Sequence, residues 1–265
     1  MSERQVQSEI GIAVAELRSA AAFLTRVPAR LLGVSAAAIP DFRQAARVFP
    51  VVGAVIGLAG GLVLVIADAL GIPAMVAAAL AIGTTVLVTG GLHEDGLADT
   101  ADSLGGTTTE KKLEIMDDSR VGTYGAVALV FSILLRVVAL GSIATFGPFR
   151  AMFALIAAEA VSRAALVRLW HDLPAARMGG LSNDTGAPDQ NAMLVALAVA
   201  AVIAVVVSVP SVGLWATILA GALAIIATWT MIRLTARTLG GRTGDTLGAC
   251  QQAAVVAFLI GASAL

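Results

Sequence analysis

Residues 191 to 232 read NAMLVALAVAAVIAVVVSVPSVGLWATILAGALAIIATWTMI, and this segment is the clearest indication of the fold. Its 42 residues include no Asp, Glu, Lys or Arg. A helix needs about 20 apolar residues to cross the hydrocarbon core of a bilayer. The segment Val209-Pro210-Ser211-Val212-Gly213 interrupts the run near its middle with residues typical of helix ends. We therefore predict two membrane-spanning helices joined by a tight turn.

Further apolar runs occur on both sides of this stretch, over residues 48–67, 69–92, 121–149, 151–170 and 246–265. The run 151–170 is the least uniform, since it holds Glu159, Arg163 and Arg168. Helices are the expected spanning elements, because lipid cannot hydrogen-bond exposed backbone groups. We predict an all-α polytopic membrane bundle with about seven transmembrane helices. It forms a single integral membrane domain over 1–265, in which 1–47 is a cytoplasmic or interfacial N-terminal segment and 48–265 is the bundle.

The composition agrees with this class of protein. Hydrophobic residues make up 58% of the 265 residues, charged residues make up 13%, and the mean hydropathy is +0.91. A soluble domain is typically about a quarter charged, so this chain has too few charges to cover a water-facing surface. This excludes an ordinary soluble enzyme, a disordered chain and a secreted disulfide scaffold. The single cysteine, Cys250, forms no internal disulfide.

Lys and Arg are unevenly distributed between the loops. With a cytoplasmic N-terminal segment, residues 1–47, 93–120, 163–190 and 233–245 share one side and hold 15 of the 17 Lys and Arg residues. Only Arg150 falls on the opposite side, and Arg136 lies within a span. Positive charge marks cytoplasmic loops. We therefore predict a multi-pass protein of the inner (plasma) membrane whose polar segments face the cytoplasm.

Acidic side chains are concentrated after the second apolar run, in LHEDGLADTAD at 92–102. Asp95, Asp99 and Asp102 are spaced i, i+4, i+7 and fall within about 60° on one helix face. Three like charges on one stripe repel each other unless a cation neutralises them, and Mg²⁺ prefers carboxylate oxygens together with substrate phosphates. The pattern indicates a metal site at the membrane boundary; a solvated acidic face is the alternative. We expect His93 and Glu94 to point away from the stripe.

Two other polar segments follow along the chain. Arg120, at the entry to the third span, has a guanidinium fork suited to a phosphate, or else anchors the span at the interface. Asp117 and Asp118 are either partners of Arg120 or simply solvated. The segment LGGRTGDTLG at 239–248 supplies Thr243 and Asp245 among glycines that permit close approach of a ligand. Asp245 either caps the last helix or completes a metal site.

Charged residues also occur inside the predicted spans. Glu159 and Arg163 are four residues apart and are expected to pair on one helix face. Ionisable residues at membrane depth usually face the interior of the bundle. Arg163 serves this structural ion pair or, alternatively, reaches toward a substrate anion. Arg136 is expected to pair or to extend to the interface.

Taken together, these segments resemble the cobalamin synthase family, the adenosylcobinamide-GDP ribazoletransferases. The resemblance is carried, in the family's order, by FLTRVP at 23–28, TGGLHEDGLADTAD at 89–102, LEIMDDSRVGTYG at 113–125, VSR at 161–163 and RTLGGRTGDTLG at 237–248. The chain departs from the pattern at Asp117, where the family often has a basic residue.

The resemblance implies an integral membrane enzyme that uses Mg²⁺. In the implied reaction a hydroxyl of α-ribazole, or of its 5′-phosphate, attacks the corrinoid-side phosphorus of adenosylcobinamide-GDP. GMP leaves, and adenosylcobalamin or its 5′-phosphate forms. The resemblance carries catalytic roles to Asp95, Asp99, Asp102 and Arg120, metal binding to the same three aspartates, and substrate contacts to Arg163, Thr243 and Asp245. Whether Asp102 is a metal ligand or the base stays open.

Two other functions share some of these features. A membrane phosphotransferase of the CDP-alcohol type is also helical with Asp clusters, but it usually shows DGxxAR followed by GxxxDxxxD, and here Asp99 stands where that Arg is expected. A transporter should place its polar groups near the middle of the membrane. We expect the two substrates and the lipid bilayer as partners, and no nucleic acid. A homo-oligomer or association with other enzymes of the corrinoid pathway stays open.

Overall fold

The computed structural model describes residues 3–34, 42–177 and 186–264, and within these ranges it is helical without a β-strand. The α-helices are α1 (Glu3–Leu24), α2 (Phe42–Ala45), α3 (Phe49–Ala69), α4 (Ala74–Thr89), α5 (Leu92–Ser103), α6 (Thr109–Met116), α7 (Thr123–Ala144), α8 (Pro148–Asp172), α9 (Gln190–Val212), α10 (Leu214–Leu239) and α11 (Gly244–Ala262). The predicted all-α class is confirmed.

The number of spans is slightly lower than predicted. Within the described ranges, five helices are long and apolar enough to cross a membrane, namely Phe42–Ala69, α7, α9, α10 and α11. A sixth crossing results if α4 and α5, which meet at 89°, form one broken span. Helix α8 has 25 residues but falls outside this count, because Glu159 and Arg163 and either Arg150 or Arg168 interrupt its apolar sequence. The predicted count of about seven is therefore approximate.

Helix α8 is nevertheless the central helix of the bundle and contacts α3, α7, α9, α10 and α11. Glycines spaced four apart on α3, at Gly53, Gly57 and Gly61, allow α3 to pack closely against it. A Cβ placed on Gly57 would lie 2.7 Å from the Cα of Ile156, far closer than side chains normally pack. This packing encloses Glu159 and Arg163 of α8 inside the bundle, as is usual for ionisable residues at membrane depth.

A sharp turn at Gly90 and Gly91 directs α5 away from α4. Both glycines have positive φ, 68° and 72°, which side-chain-bearing residues rarely adopt. The N-terminal segment braces the turn, since the backbone N–H of Arg26 donates to the carbonyl of Val88 at 2.8 Å. Because of the 89° bend, we treat α5 as lying along the end of the bundle rather than crossing the membrane.

The polar segments that were assigned to one membrane side by their charges also meet at one end of the bundle. Asp117, after α6, binds Arg177 in the segment that follows α8, with two N–O contacts of 2.6 and 2.8 Å. The backbone N–H of Arg242 donates to the carbonyl of Pro174 at 2.8 Å. The acidic helix α5 and the start of α11 are therefore brought to the same end.

Candidate active site

Helices α5 and α11 bring two predicted segments together. Asp95 is exposed and Asp99 is half-buried on α5, and Asp245 lies in the first turn of α11, close enough to interact with both carboxylates. The two helices approach closely at Gly96, where a Cβ would lie 2.7 Å from the carbonyl oxygen of Asp245. Asp102 also contributes negative charge here. We call Asp95, Asp99, Asp102 and Asp245 the acidic cluster.

Negative charges accumulate in the acidic cluster, and among them Asp245 also interacts with the positive charge of Arg177. Burial raises the pKa of Asp99 to about 7, with further contributions from the negative charges of Asp95, Asp245 and Asp102. A cation bound beside this carboxyl would favour its ionised form.

Asp102 has a partner that its sequence position did not reveal. Its two carboxylate oxygens accept hydrogen bonds from the backbone N–H groups of Gly122, at 2.7 Å, and Gly125, at 2.9 Å. These amides belong to the beginning of α7, where N–H groups have no partner within the helix. Asp102 therefore fixes the start of α7 beside the acidic cluster.

The structure does not place the guanidinium of Arg120 within the acidic cluster. The side chain is 86% exposed and forms a two-point contact with Asp118, with N–O distances of 3.0 and 2.6 Å. This contact lowers the pKa of Asp118 to about 2. Of the two expected acidic partners of Arg120, only Asp118 binds it, because Asp117 binds Arg177 instead.

Thr243 is the N-cap of α11. Its hydroxyl accepts from the backbone N–H of Thr246 at 3.2 Å, and the Thr246 hydroxyl accepts in return from the backbone N–H of Thr243 at 2.9 Å. This reciprocal capping is typical of a well-defined helix start. The capping role that we considered for Asp245 therefore belongs to Thr243, which leaves the Asp245 carboxylate on the acidic cluster.

The expected ion pair between Glu159 and Arg163 is present on α8, and both side chains are only 2% exposed. The guanidinium of Arg163 also donates to the hydroxyl of Ser162 at 3.2 Å. Arg163 is thus enclosed within the bundle, where its charge also interacts with that of Glu94 on α5. The structure does not bring it to the open side of the acidic cluster.

Glu94 and His93 are buried, whereas Asp95 is exposed. Glu94 accepts from Arg136 at 3.1 Å and from the side-chain amide of Gln252 at 3.0 Å. That amide also donates to Gln251 at 2.9 Å, and Gln251 donates to Ser162 at 2.9 Å. A buried polar network therefore ties α5 to α7, α8 and α11.

The carboxylate oxygens of the acidic cluster are suitable ligands for a hard cation, but they do not complete its coordination by themselves. Among the residues that the structure describes, no three His, Cys, Asp or Glu side chains are arranged to hold a metal ion by themselves. Mg²⁺, however, is usually bound by one or two carboxylates, with waters and substrate phosphates completing its coordination. Asp95 and Asp99, opposite Asp245, supply such an incomplete set of oxygen ligands, and their mutual repulsion favours a cation.

A small pocket adjoins the acidic cluster. Its volume is about 130 Å³, and Asp95 and Asp245 are among its lining residues. Most of the remaining lining is apolar and comes from the end of α1, α5, α8 and α11. The site therefore combines carboxylates at the end of the bundle with an adjacent apolar recess.

Sequence reasoning missed the residues that assemble this site. Gly96 and Gly248 allow α5 and α11 to approach, whereas the sequence pattern indicates ligand contact for the glycines around Asp245. Gln251 and Gln252 were counted as part of an uncharged span. These two adjacent side-chain amides at membrane depth indicate a buried polar network, because buried polar groups require hydrogen-bond partners.

Comparison with known proteins gives a consistent result over nearly the whole chain. Residues 16–263 match the family model described as cobalamin-5-phosphate synthase. The curated protein from Azorhizobium caulinodans named adenosylcobinamide-GDP ribazoletransferase is 48% identical over 250 residues, which cover 94% of this chain and 95% of that protein.

Two other proteins with the same name show similar agreement. The protein from Xanthobacter autotrophicus is 48% identical over 251 residues, covering 93% of this chain and 94% of its own. The protein from Bradyrhizobium diazoefficiens is 44% identical over 253 residues, covering 95% and 94%. No solved structure matches the chain.

Proposed function

The chain belongs to the cobalamin-5-phosphate synthase family, and we propose that its acidic cluster is the catalytic centre of a Mg²⁺-dependent adenosylcobinamide-GDP ribazoletransferase. The enzyme joins adenosylcobinamide-GDP with α-ribazole, or with its 5′-phosphate, and releases GMP. This assignment of the site depends on one observation, the proximity of Asp95 and Asp99 to Asp245 at the end of the bundle.

Phosphoryl transfer depends mainly on positioning and on neutralising charge. We assign the cation to Asp95 and Asp99, with Asp245 facing them from α11. Bound there, Mg²⁺ would neutralise negative charge on the diphosphate of the donor. The negative stripe of the free enzyme is the electrostatic reason for this assignment.

The protein's own groups have distinct tasks in the transfer. An acceptor hydroxyl oxygen forms a bond to the corrinoid-side phosphorus, the bond from that phosphorus to the GMP oxygen breaks, and the hydroxyl proton passes to a carboxylate. Each carboxylate oxygen of Asp102 already accepts one hydrogen bond, from the backbone N–H of Gly122 or of Gly125. Each oxygen therefore has a further lone pair that can accept the hydroxyl proton. We assign Arg120, which is exposed two residues before Gly122, to a substrate phosphate that it would bind in place of Asp118.

The membrane orientation follows from charge. The chain is a multi-pass membrane protein, and its Lys and Arg residues are concentrated in the segments that meet at the end bearing the acidic cluster. Since positive loops stay on the cytoplasmic side, we place this end at the cytoplasmic face of the inner membrane. Water-soluble substrates then reach the site directly.

The test is GMP release by the purified protein in liposomes, with adenosylcobinamide-GDP and with or without α-ribazole. We expect GMP only with both substrates and Mg²⁺, and a loss of at least about 100-fold in Asp95→Ala. Asp68→Ala is the matched control, because Asp68 is an exposed carboxylate near the end of α3. Near-normal turnover in Asp95→Ala, or full activity after chelation, would contradict the assignment.

A further inference from the structure

The guanidinium of Arg177 is a positive charge that the structure brings to the acidic cluster, where it interacts with the charge of Asp245. The two arginines that the sequence pattern indicated for the substrate are placed differently. Arg120 is 86% exposed and binds Asp118, and Arg163 is enclosed within the bundle. Arg177 is thus an arginine beside the acidic cluster to which sequence reasoning had assigned no role.

Backbone hydrogen bonds hold the segment that precedes Arg177 beside the start of α11. The carbonyl of Pro174 accepts from the backbone N–H of Arg242 at 2.8 Å, and the backbone N–H of Ala176 donates to the carbonyl of Arg242 at 2.9 Å. A Cβ on Gly241 would lie 2.7 Å from the carbonyl oxygen of Pro174, so the glycine permits this close pairing. Because Arg242 lies one residue before the N-cap of α11, the two bonds fix the position of Arg177 relative to the start of that helix.

The carboxylate of Asp117 orients the guanidinium. Nη1 and Nη2 of Arg177 donate to its two oxygens at 2.6 and 2.8 Å. Asp117 follows Met116, whose sulfur accepts from the hydroxyl of Thr243 at 3.8 Å, so the ion pair also lies close to the start of α11. A guanidinium has five N–H groups, and the other three form no hydrogen bond to a described residue. Arg177 can therefore bind an anion without releasing Asp117.

Stability gives little reason for this ion pair. The side chains of Arg177 and Asp117 are 41% and 57% exposed, and exposed ion pairs contribute little to stability because water screens them. The pair does, however, hold an exposed guanidinium in one orientation, which lowers the entropy cost of binding a second anion. A planar guanidinium that is always charged is well suited to phosphate oxygens.

Resting on the function proposed above, we propose that Arg177 is a substrate-binding residue whose guanidinium, oriented by Asp117, binds the diphosphate of the donor adenosylcobinamide-GDP. Its positive charge offsets the repulsion between the diphosphate and the carboxylates of the acidic cluster. It also stabilises the negative charge on the phosphate of GMP when the bond to the corrinoid-side phosphorus breaks. Because α-ribazole carries no phosphate, Arg177 contributes to binding of the donor and not of this acceptor.

The first experiment measures steady-state kinetics of GMP release with α-ribazole as the acceptor. Arg177→Gln should raise the KM for adenosylcobinamide-GDP about 10- to 100-fold through the lost charged hydrogen bonds and leave the KM for α-ribazole within about twofold of wild type. Arg177→Lys should recover part of this loss, since it keeps the charge but not the planar fork.

Two variants separate substrate binding from a structural role. Asp117→Asn removes the same ion pair but keeps the guanidinium, so it should raise the donor KM by at most about threefold. Arg168→Gln is the matched control, because Arg168 forms an ion pair of similar exposure with Asp172 on α8, and it should leave both KM values unchanged. Equal effects of Arg177→Gln and Asp117→Asn would overturn the proposal, because the ion pair itself would then be what matters.

The second experiment measures binding without turnover. The Kd of adenosylcobinamide-GDP, determined by equilibrium dialysis in the absence of acceptor, should rise in Arg177→Gln by about the same factor as the KM and should depend less on salt than in wild type. An unchanged Kd, or a kinetic effect confined to the KM for α-ribazole 5′-phosphate, would show that Arg177 does not bind the donor. If wild type turns over and Arg177→Gln keeps the wild-type donor KM, the assignment of Arg177 is wrong and the function stands. If wild type releases no GMP, the function itself is wrong.

Discussion

Gly96→Ala tests whether the close approach of α5 and α11 positions the acidic cluster. The added Cβ would lie 2.7 Å from the carbonyl oxygen and 2.9 Å from the Cα of Asp245. These neighbours are backbone atoms, so the helices must separate by about 0.7 Å to restore an ordinary contact of about 3.4 Å. Asp95 and Asp99 would then move relative to Asp245.

A misplacement of about 1 Å in a catalytic arrangement can cost about 100-fold in rate. We therefore expect Gly96→Ala to lower kcat for GMP release by about 10- to 100-fold. The free energy of unfolding should fall by only about 1–2 kcal/mol, because overpacking costs about 1–3 kcal/mol and alanine gains up to about 1 kcal/mol over glycine within a helix. Gly248→Ala should have a smaller effect, since its nearest neighbours in His93 lie at 3.2 Å.

The control is Gly221→Ala on α10, the same substitution in a helix interior where no atom lies within 4 Å of the new Cβ. It should leave GMP release unchanged and slightly raise the midpoint of thermal unfolding. Activity and thermal unfolding are measured on the same liposome or detergent preparations. If folded Gly96→Ala turns over within about twofold of wild type, or if Gly221→Ala loses as much activity, the positioning argument is refuted.

Three further outcomes are expected. Arg136→Met should lower the free energy of unfolding by about 3–5 kcal/mol, because the buried Glu94 carboxylate loses its ion pair with Arg136. Glu94→Met combined with Arg136→Met should recover much of that loss. Equal destabilisation of the single and double variants in denaturant unfolding would contradict the pair. Asp102→Ala should lower the free energy of unfolding by about 1–2 kcal/mol, because α7 loses the cap that Asp102 provides. Faster amide hydrogen exchange confined to the start of α7 would identify this cause. Unchanged exchange at the start of α7 would contradict the capping role. Because the folded-state pKa of Asp99 is raised to about 7, the folded state binds the extra proton, so without Mg²⁺ the stability should fall as pH rises from about 4 to about 7. Asp99→Asn should remove most of that dependence, and an identical pH profile in the variant would disprove the raised pKa.

The sequence alone determined the features that depend on local spacing and composition. Uncharged runs of about 20 residues determine spanning helices, because exposed backbone groups in lipid must be bonded within their own helix. Helical periodicity likewise gave the stripe of Asp95 and Asp99, and the ion pair of Glu159 with Arg163.

Which distant segments meet depends on how the helices pack. Asp245 lies about 150 positions from Asp95 along the chain, and their proximity depends on a glycine contact between α5 and α11 rather than on any local pattern. Packing also assigned Asp102 to the amides of α7 and enclosed Arg163 within the bundle. These outcomes could not be predicted locally, because a side chain binds whichever partner the packed helices bring within hydrogen-bond distance.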